Sequence, residues 1–201
     1  MAPTDHTDNV DGRRLRRSRN RAAVVEAMVA LINEGNFSPS APDIAERAGV
    51  SHRSIFRYFD DLDDLSRTSI EHAFIQAERV GRLEDVGTGT LAERIESLVD
   101  ARLQLFAYID APMQVARMKA PTVPTIDATI GLIARGGRVQ IARHFAPELD
   151  GRCGDEAELL TDAILVATSY DAYTIHRRLL ESSQERTRAA FVAALTALLR
   201  T

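Results

Sequence analysis

The sequence predicts an all-α protein of about nine helices, the first three of which form a small N-terminal unit. Two observations predict this fold class. Apolar residues recur at three- and four-residue spacing along most of the chain, whereas the strict apolar–polar alternation of strands never persists. Gly and Pro interrupt the periodic segments at positions where helices would end.

Composition narrows the class further. Apolar residues make up 45% of the chain, only 5% is aromatic and Trp is absent, so we expect a core of Ala, Leu, Ile and Val. The single cysteine, Cys153, cannot form an intrachain disulfide, which favours a reducing compartment. No apolar run approaches the roughly 20 residues of a membrane span, and the N-terminus lacks an apolar signal core. We therefore expect a cytoplasmic protein without a membrane partner.

The N-terminal region combines a polar tail with a basic first helix. Residues 1–12 are expected to be disordered, and residues 13–21 contain six arginines and no acid. From residue 61 onwards the chain has 16 basic and 21 acidic groups, so positive charge is concentrated at one end. A first helix is predicted over about 15–34, and Gly35 ends it. Its apolar face comprises Val24, Ala27, Met28 and Leu31.

Two short helices separated by a glycine-containing turn come next. Ser40 and Asp43 have the spacing of a capping box, which predicts that the second helix starts there. The turn is Ala48-Gly49-Val50-Ser51, in which the glycine can adopt a positive φ and Ser51 caps a third helix over about 52–58. This is the spacing of a helix-turn-helix unit, whose second helix lies in the DNA major groove.

The remaining segments are also predicted to be helical. Asp61 caps a fourth helix, and Asp63 and Asp64 add charge that suits a helix N-terminus. Further helices are predicted over about 91–108, 125–145, 156–181 and 184–200, with a short proline-broken helix in 110–122 and loops over 81–89 and 146–155.

The helix-turn-helix residues also carry a family resemblance. The stretch IAERAGVSHRSIFRYFDDLDDL resembles the N-terminal signature of the TetR family of transcriptional regulators. The matching features are Ile44-Ala45, the turn from Ala48 to Ser51, Phe56 with Tyr58-Phe59, and Leu65. The resemblance covers about residues 20–70.

This resemblance implies a homodimeric, all-helical repressor that binds a palindromic operator in double-stranded DNA. The DNA-binding domain would span 13–62, and the domain for small-molecule binding and dimerisation would span 63–201. The sequence departs from the family at three points. It has Arg53-Ser54 where Gly or Thr is frequent, Phe56 in place of a Tyr, and Leu62 among four aspartates where a Lys is frequent.

The third helix supplies most of the candidate DNA-binding residues. We hypothesise that Arg53 binds a guanine edge bidentately and that Arg57 and Tyr58 contact phosphates. Alternatively, this helix is a solvated surface, and Tyr58 packs on the first helix. Phe56 and Phe59 are expected in the core. The full candidate set is Ser40, Ser51, His52, Arg53, Ser54, Arg57, Tyr58, Arg16, Arg17 and Arg19.

The arginines of 13–21 have two alternative roles. They could form an arm that enters the minor groove or lies along phosphates, or they could be a solvated charge run that keeps the protein soluble. Their position directly ahead of the helix-turn-helix unit favours contact with DNA.

A ligand site in the C-terminal domain is expected from the resemblance, and its residues are candidates only. They are Phe74, Arg102, Phe106, Met113, Arg117, Met118, Tyr170, Tyr173 and His176. Apolar residues at helical spacing are more often plain core. Arg102 and Arg117 could meet an anionic ligand, or they could pair with an acid such as Asp100 or Asp110.

The last two predicted helices carry apolar residues on two faces, so one face is available to a second subunit. In TetR-like proteins these helices form a four-helix bundle across a two-fold axis. The candidate interface residues are Leu159, Ala163, Val166, Ala167, Tyr170, Phe191, Ala194, Leu195 and Leu198.

Other functions have less support in the sequence. A ligand-independent regulator or architectural DNA-binding protein is the main alternative, and a dry, filled C-terminal core would favour it. A helical enzyme is the least favoured. The histidines lack metal-ligand spacing, and Cys153 has no nearby histidine to activate it, so we expect no metal, cofactor or catalytic residue.

Overall fold

The structure, a computed structural model, describes residues 7–200, with side chains for 12 and 14–200. Every regular element in that range is helical, which confirms the all-α class. The helices are α1 Thr7–Asn33, α2 Ala41–Ala48, α3 His52–Tyr58, α4 Leu62–Val80, α5 Leu91–Lys119, α6 Pro124–His144, α7 Ala146–Leu149, α8 Gly154–Ala167, α9 Tyr170–Thr174 with a π-helical continuation Ile175–Leu179, and α10 Gln184–Leu199. None of these described helices is long and apolar enough to cross a bilayer.

The described chain divides into two compact units. The first comprises the described part of Met1–Ile75 together with Ala111–Asp127, and the second comprises Gln76–Asp110 with the described part of Ala128–Thr201. Each unit therefore uses two segments of chain, whereas the sequence suggests a single boundary near residue 62.

The first helix differs from its predicted start. Helix α1 begins at Thr7, so residues 7–12 are helical where the sequence predicts a disordered tail, while residues 1–6 lie outside the described range. Arg is a good helix former, and the arginine-rich segment that follows allows the helix to extend backwards. At the other end, Gly35 has φ 91° and its N–H bonds the carbonyl of Ile32, as expected for a helix C-terminus.

The core of the first unit is built from helical stripes on α1 to α4. On α1 the buried residues include Val24, Met28 and Ile32, whereas Leu31 is only half-buried. Ion pairing also joins the ends of two helices, because Arg47 of α2 donates to Glu34 through both terminal nitrogens, one of them at 2.8 Å. This unit therefore holds α2 and α3 on a fixed support.

Proline does not break α5, contrary to the sequence prediction. The helix continues through Pro112 to Lys119. A proline in a helix interior costs about 3 kcal/mol. Its neighbours Ile109, Met113 and Ala116 are all buried. Burial of large apolar side chains contributes about 1.5–3 kcal/mol each, which offsets the loss of one backbone hydrogen bond.

The predicted helix over 156–181 is divided in the structure. Helix α8 ends at Ala167, and α9 begins after Ser169, whose Oγ accepts from the N–H of Ala172 at 3.1 Å. Thr168 Oγ1 donates to the carbonyl of Ile164 at 2.8 Å. These short polar side chains compete with the helical backbone bonds, so they favour a break and a new N-terminus. The predicted loop 146–155 likewise contains the short helix α7.

A buried histidine anchors the loop between α4 and α5 within the second unit. The N–H of Gly87 donates to Nδ1 of His144 at 3.1 Å, and Nε2 of His144 donates to the carbonyl of Arg94 at 2.9 Å. Arg94 also donates to the carbonyl of Gly89 and pairs with Glu148. This pattern requires a neutral imidazole, since Nδ1 must accept. Burial lowers the pKa of His144, and the hydrogen bond to the Arg94 carbonyl opposes this only in part.

Candidate DNA-binding surface

The turn between α2 and α3 has the geometry that its sequence predicts. Gly49 is left-handed, with φ 65° and ψ 33°, and its N–H bonds the carbonyl of Glu46 at 3.2 Å. The N–H of Val50 bonds the carbonyl of Ala45 at 3.0 Å, which completes a Schellman-type end to α2. A side chain at residue 49 would be strained, because L-residues rarely adopt this φ.

Ser40 has a structural role at the start of α2. Its N–H and Oγ both donate to Oδ2 of Asp43, at 3.0 and 2.7 Å, and Asp43 returns a weak N–H bond of 3.4 Å. These bonds form the predicted capping box. They also lower the pKa of Asp43, mainly through the Ser40 hydroxyl. The hydroxyl is thus already engaged, which weakens Ser40 as a DNA contact.

Helix α3 presents one face to the core and the other to solvent. Ile55 is fully buried, and Tyr58 is nearly so. His52, Arg53, Phe56 and Arg57 are exposed. These four positions share one side of a helix with 3.6 residues per turn. The outward face therefore offers two arginines, an imidazole and an aromatic ring.

Phe56 is on the surface, and its predicted place in the core is wrong. The side chain is 48% exposed, and its ring meets that of His52 edge-on with centroids 5.2 Å apart. Phe56 follows His52 by four positions and so lies on the same outward face. Phe59, by contrast, is buried as predicted, with the guanidinium of Arg21 4.7 Å above its ring centroid. Helical phase, rather than hydrophobicity, would have identified Phe56 as a surface residue.

Arg53 is exposed and makes no hydrogen bond or ion pair with any residue in the described range. Together with Ser51, Ser54, Phe56 and Arg57 it lines one shallow depression. The Oγ atoms of Ser51 and Ser54 bond each other at 2.8 Å, so Ser51 occupies the N-cap position without capping through its side chain. The guanidinium of Arg53 is thus free to form a bidentate contact with a planar acceptor.

Tyr58 follows the alternative in which it packs against α1. Its hydroxyl accepts from Arg57 Nη2 at 2.9 Å and, at the weak distance of 3.5 Å, from Asn20 Nδ2 of α1. Burial raises the pKa of Tyr58, but the hydrogen bonds from Arg57 and Asn20 and the charges of Arg57 and Arg17 lower it overall. The part-buried Tyr58 hydroxyl holds Arg57. A contact between Tyr58 and a phosphate stays a prediction.

The arginines ahead of the helix-turn-helix unit lie on α1. Arg16, Arg17 and Arg19 are exposed, and the side chain of Arg13 lies outside the described set. Because this segment is helical, it does not have the extended shape that enters a minor groove. The phosphate-contact alternative fits a charged helix face better.

The acidic cluster at the start of α4 is largely compensated. Asp61 Oδ1 accepts the N–H groups of Asp63 and Asp64 at 2.8 and 2.7 Å, which confirms the predicted cap. Asp63 pairs with Lys119 at 2.6 Å, and Asp64 pairs with Arg67 at 2.6 Å. Pairing reduces the repulsion that these acids would exert on a nearby phosphate.

The predicted ligand-binding residues do not all lie inside the protein. Phe74, Phe106, Met113, Tyr170 and Tyr173 are buried and His176 is half-buried, whereas Met118 is 65% exposed and Arg117 is also on the surface. Met118 and Arg117 are therefore corrected to surface positions, because the uninterrupted α5 turns them outward. In the second unit, Phe106, Tyr170 and Tyr173 form a ring cluster with centroids 5.6–6.0 Å apart. His176 packs edge-on against Phe191 at 6.0 Å.

The predicted dimer residues fall into three groups. Leu159 and Val166 of α8 are 70% and 69% exposed. Tyr170, Phe191 and Leu195 are buried in their own chain, so the structure corrects these three to core positions. The others are half-buried: Ala163, Ala167, Ala194 and Leu198.

A three-helix unit with a glycine turn and an exposed polar second helix defines the helix-turn-helix class of DNA-binding regulators. A family model described as bacterial regulatory proteins, tetR family, matches residues 24–67, which contain α2, α3 and their support. Residues 24–67 are therefore similar to the DNA-binding domain of TetR-family transcriptional regulators.

Curated regulators are also similar to about half of the chain. The HTH-type transcriptional regulator BetI of Paraburkholderia phymatum is 26% identical over 110 residues, which cover 54% of this chain and 52% of the relative. The BetI of Burkholderia cenocepacia matches to the same extent. The match thus spans about half the length of these curated relatives.

The fold is also similar to that of solved regulators. A transcriptional regulator from Rhodococcus sp. Rha1 has a TM-score of 0.68 at 17% identity, covering 92% of this chain and 96% of its own. A TetR-family regulator from Streptomyces coelicolor has a TM-score of 0.54 at 18% identity, covering 90% and 98%. At such identities the similarity concerns the fold only.

Proposed function

We propose that the protein is a homodimeric repressor that binds a palindromic operator and releases it when a small molecule binds the second unit. The observation that carries the proposal is the outward face of α3. It holds two exposed arginines beside an exposed aromatic ring, above a buried side that fixes the helix. Arginine forks bind guanine edges, and apolar rings contact thymine methyl groups.

The exposed apolar side chains of α8 support the dimer. Leu159 and Val166 are one heptad apart and so lie on one helix stripe, with the half-buried Ala163 between them. Large apolar side chains in one exposed stripe indicate a surface that is covered in the assembled state. A two-fold axis would then present two α3 helices to half-sites about 34–36 Å apart.

The ligand-independent alternative also has a supporting observation. The rings of Phe106, Tyr170 and Tyr173 contact one another directly, as they would in a filled core. Release by a ligand requires that the ligand bind the two conformations with different affinity. A regulator whose second unit binds no small molecule would keep the same DNA affinity whichever small molecule is added.

The dimer and its operator can be tested together. The test uses DNA from the region flanking the protein's own gene, footprinted with the full chain, and analytical ultracentrifugation of the complex. We expect protection of an inverted repeat and two chains per site. A protected site without symmetry, or one chain per site, would contradict the proposal.

A further inference from the structure

Arg102 of α5 is half-buried, and two of its three guanidinium nitrogens are buried without a partner in the described chain. Its Nε and Nη2 atoms are inaccessible to solvent and make no hydrogen bond to any described residue. Both acids that the sequence offers are engaged elsewhere. Asp100 pairs with Arg188 at 2.6 Å, and Asp110 pairs with Arg178 at 2.7 Å and accepts from the Tyr170 hydroxyl at 2.6 Å.

Such an arrangement is unfavourable for the protein alone. Burial of these nitrogens lowers the pKa of Arg102 to about 10, so the guanidinium is still charged at neutral pH. Buried charged groups in proteins are normally paired, because their desolvation without a counter-charge is unfavourable. A ligand that carries a negative charge would satisfy both nitrogens.

Helix α6 leaves room for this guanidinium. A Cβ atom at Gly137 would lie 3.1 Å from Arg102 Nη2 and 3.4 Å from a methyl of Leu165. Gly is less favourable than Ala in a helix interior, and the close approach of Arg102 explains its presence here. The adjacent Gly136 differs, because a Cβ there would meet nothing within 4 Å.

The two unpaired nitrogens of Arg102 indicate the shape of the group that would bind them. Nε–H and Nη2–H lie on the same edge of the guanidinium and point in parallel, which matches the two oxygens of a carboxylate. One guanidinium also neutralises one negative charge. A phosphate dianion would leave excess charge in this apolar setting, so a monocarboxylate fits better.

The surroundings indicate the rest of the ligand. Phe106 follows Arg102 by four positions on α5, so the two side chains lie on one face. Phe106 packs against Tyr170 and Tyr173 with ring centroids 5.8 and 5.6 Å away. An apolar body attached to the carboxylate would meet this aromatic cluster.

We propose that Arg102 anchors the ligand of the second unit, and that this ligand is a small monocarboxylate with an apolar body. The proposal rests on the proposed ligand-released repressor and names the chemical class of its ligand. Gly137 acts as a specificity position because it sets the distance between α6 and the guanidinium.

The test measures carboxylate binding to the full chain without DNA. Octanoate and 3-phenylpropanoate are the probes, octanamide is the uncharged control, and tyrosine fluorescence with thermal melting provides the readout. We expect saturable binding of at least one carboxylate. We expect Arg102→Met to weaken it by about ten- to hundredfold, as for loss of a hydrogen-bonded charge, and to leave the weak binding of octanamide unchanged. Arg102→Lys, which keeps the charge but loses the fork, should fall between.

Two glycine variants form a matched pair. Gly137→Ala places a methyl against the guanidinium and should weaken carboxylate binding, whereas Gly136→Ala adds the same methyl in open space and should not. The proposal is overturned if neither probe saturates, if octanamide binds as tightly as octanoate, or if Arg102→Met binds octanoate like the unmodified chain. Loss of dimerisation in Arg102→Met without carboxylate binding would assign the counter-charge to a second subunit and also overturn it.

Different results would contradict the carboxylate site at Arg102 and the ligand-released repressor. If carboxylates bind through Arg102 but operator DNA stays bound, the ligand site stands and the release mechanism fails. If operator DNA is released by a compound whose binding ignores Arg102, the repressor proposal stands and the carboxylate site fails.

Discussion

In the proposed DNA complex, single side chains on α3 would have different roles. Arg53 is exposed and unpaired within residues 7–200, whereas Arg57 is held by the hydroxyl of Tyr58. A free arginine can adjust to a base edge, and a restrained one suits a fixed position such as a phosphate. Phe56 lies between them in sequence and has an exposed ring on the same face of α3.

Arg53 is expected to provide base discrimination. Arg53→Ala should cost about 1–3 kcal/mol at one base position and relax the preference there. Fluorescence anisotropy with operators substituted at each position measures this change. Arg79→Ala, which removes another exposed arginine from α4 in the second unit, is the matched control and should leave the affinity unaltered. Equal base preference for Arg53→Ala and the unmodified chain would refute the assignment.

His144 is expected to make stability depend on pH. Its folded-state pKa lies below the unfolded value of 6.5, so protonation favours the unfolded chain. Stability should therefore be complete above about pH 7 and be lost as pH falls through 6.5 towards the folded pKa. Thermal melts of His144→Gln should show a flatter dependence between pH 7.5 and 5.5, and His52→Gln, at an exposed imidazole, should melt like the unmodified chain. Parallel curves for His144→Gln and the unmodified chain would exclude this origin.

Residue-level prediction from sequence succeeds where the signal is local. The capping box of Ser40 and Asp43, the cap at Asp61 and the left-handed Gly49 depend on neighbours within a few residues, and the structure has all three. Hydrophobicity alone places Phe56 in the core, whereas its helical phase places it on the surface; the burial of Tyr58 depends on how α3 is rotated against α1. That rotation is a tertiary property, which residue type does not encode.

At the scale of elements, helix α1 converts a run of arginines into a charged surface. Arg16, Arg17 and Arg19 project from a helix instead of a flexible tail. Each phosphate that a cation neutralises releases counterions, which makes affinity depend on salt.

Removing this charge should reduce the salt dependence of DNA binding. Replacing Arg16, Arg17 and Arg19 together by Ala should lower the slope of log affinity against log salt by about 1–3, at roughly 0.9 per lost phosphate contact. The same three changes to Lys keep the charge and should preserve the slope. An unchanged slope in the alanine variant would show that these arginines are merely solvated.

The prediction of helix boundaries from sequence is limited because local preferences compete with tertiary packing. The proline at 112 predicts a break, yet burial along α5 keeps the helix continuous. Conversely, Thr168 and Ser169 end α8 although the apolar pattern continues. Local sequence rules miss the continuity of α5 through Pro112, because packing compensates for the lost backbone hydrogen bond. They miss the end of α8 because side-chain hydrogen bonds do not alter hydrophobic periodicity.

At the scale of the whole molecule, the proposed dimer links α8 to the spacing of two α3 helices. Leu159→Asp would place a charge in the subunit interface, twice per dimer because of the two-fold axis. An unpaired buried charge costs several kcal/mol, so we expect a monomer at micromolar concentration and loss of operator binding. Sedimentation velocity and gel shift measure both.

The control for this change is an exposed apolar residue outside α8. Val86 is 43% exposed in the loop before α5. Val86→Asp should remain dimeric and bind DNA. If Leu159→Asp is also dimeric, the interface lies elsewhere and the assignment of α8 is wrong.

The pairing of Lys119 with Asp63 has a practical consequence. This chain has a single lysine, and its ammonium group meets the first turn of α4 at 2.6 Å. Acetylation there would erase the ion pair and leave Asp63 unbalanced beside Asp61 and Asp64. Lys119 is therefore the single side chain that reagents for primary amines would modify. Its reactivity would report whether the ion pair with Asp63 is formed.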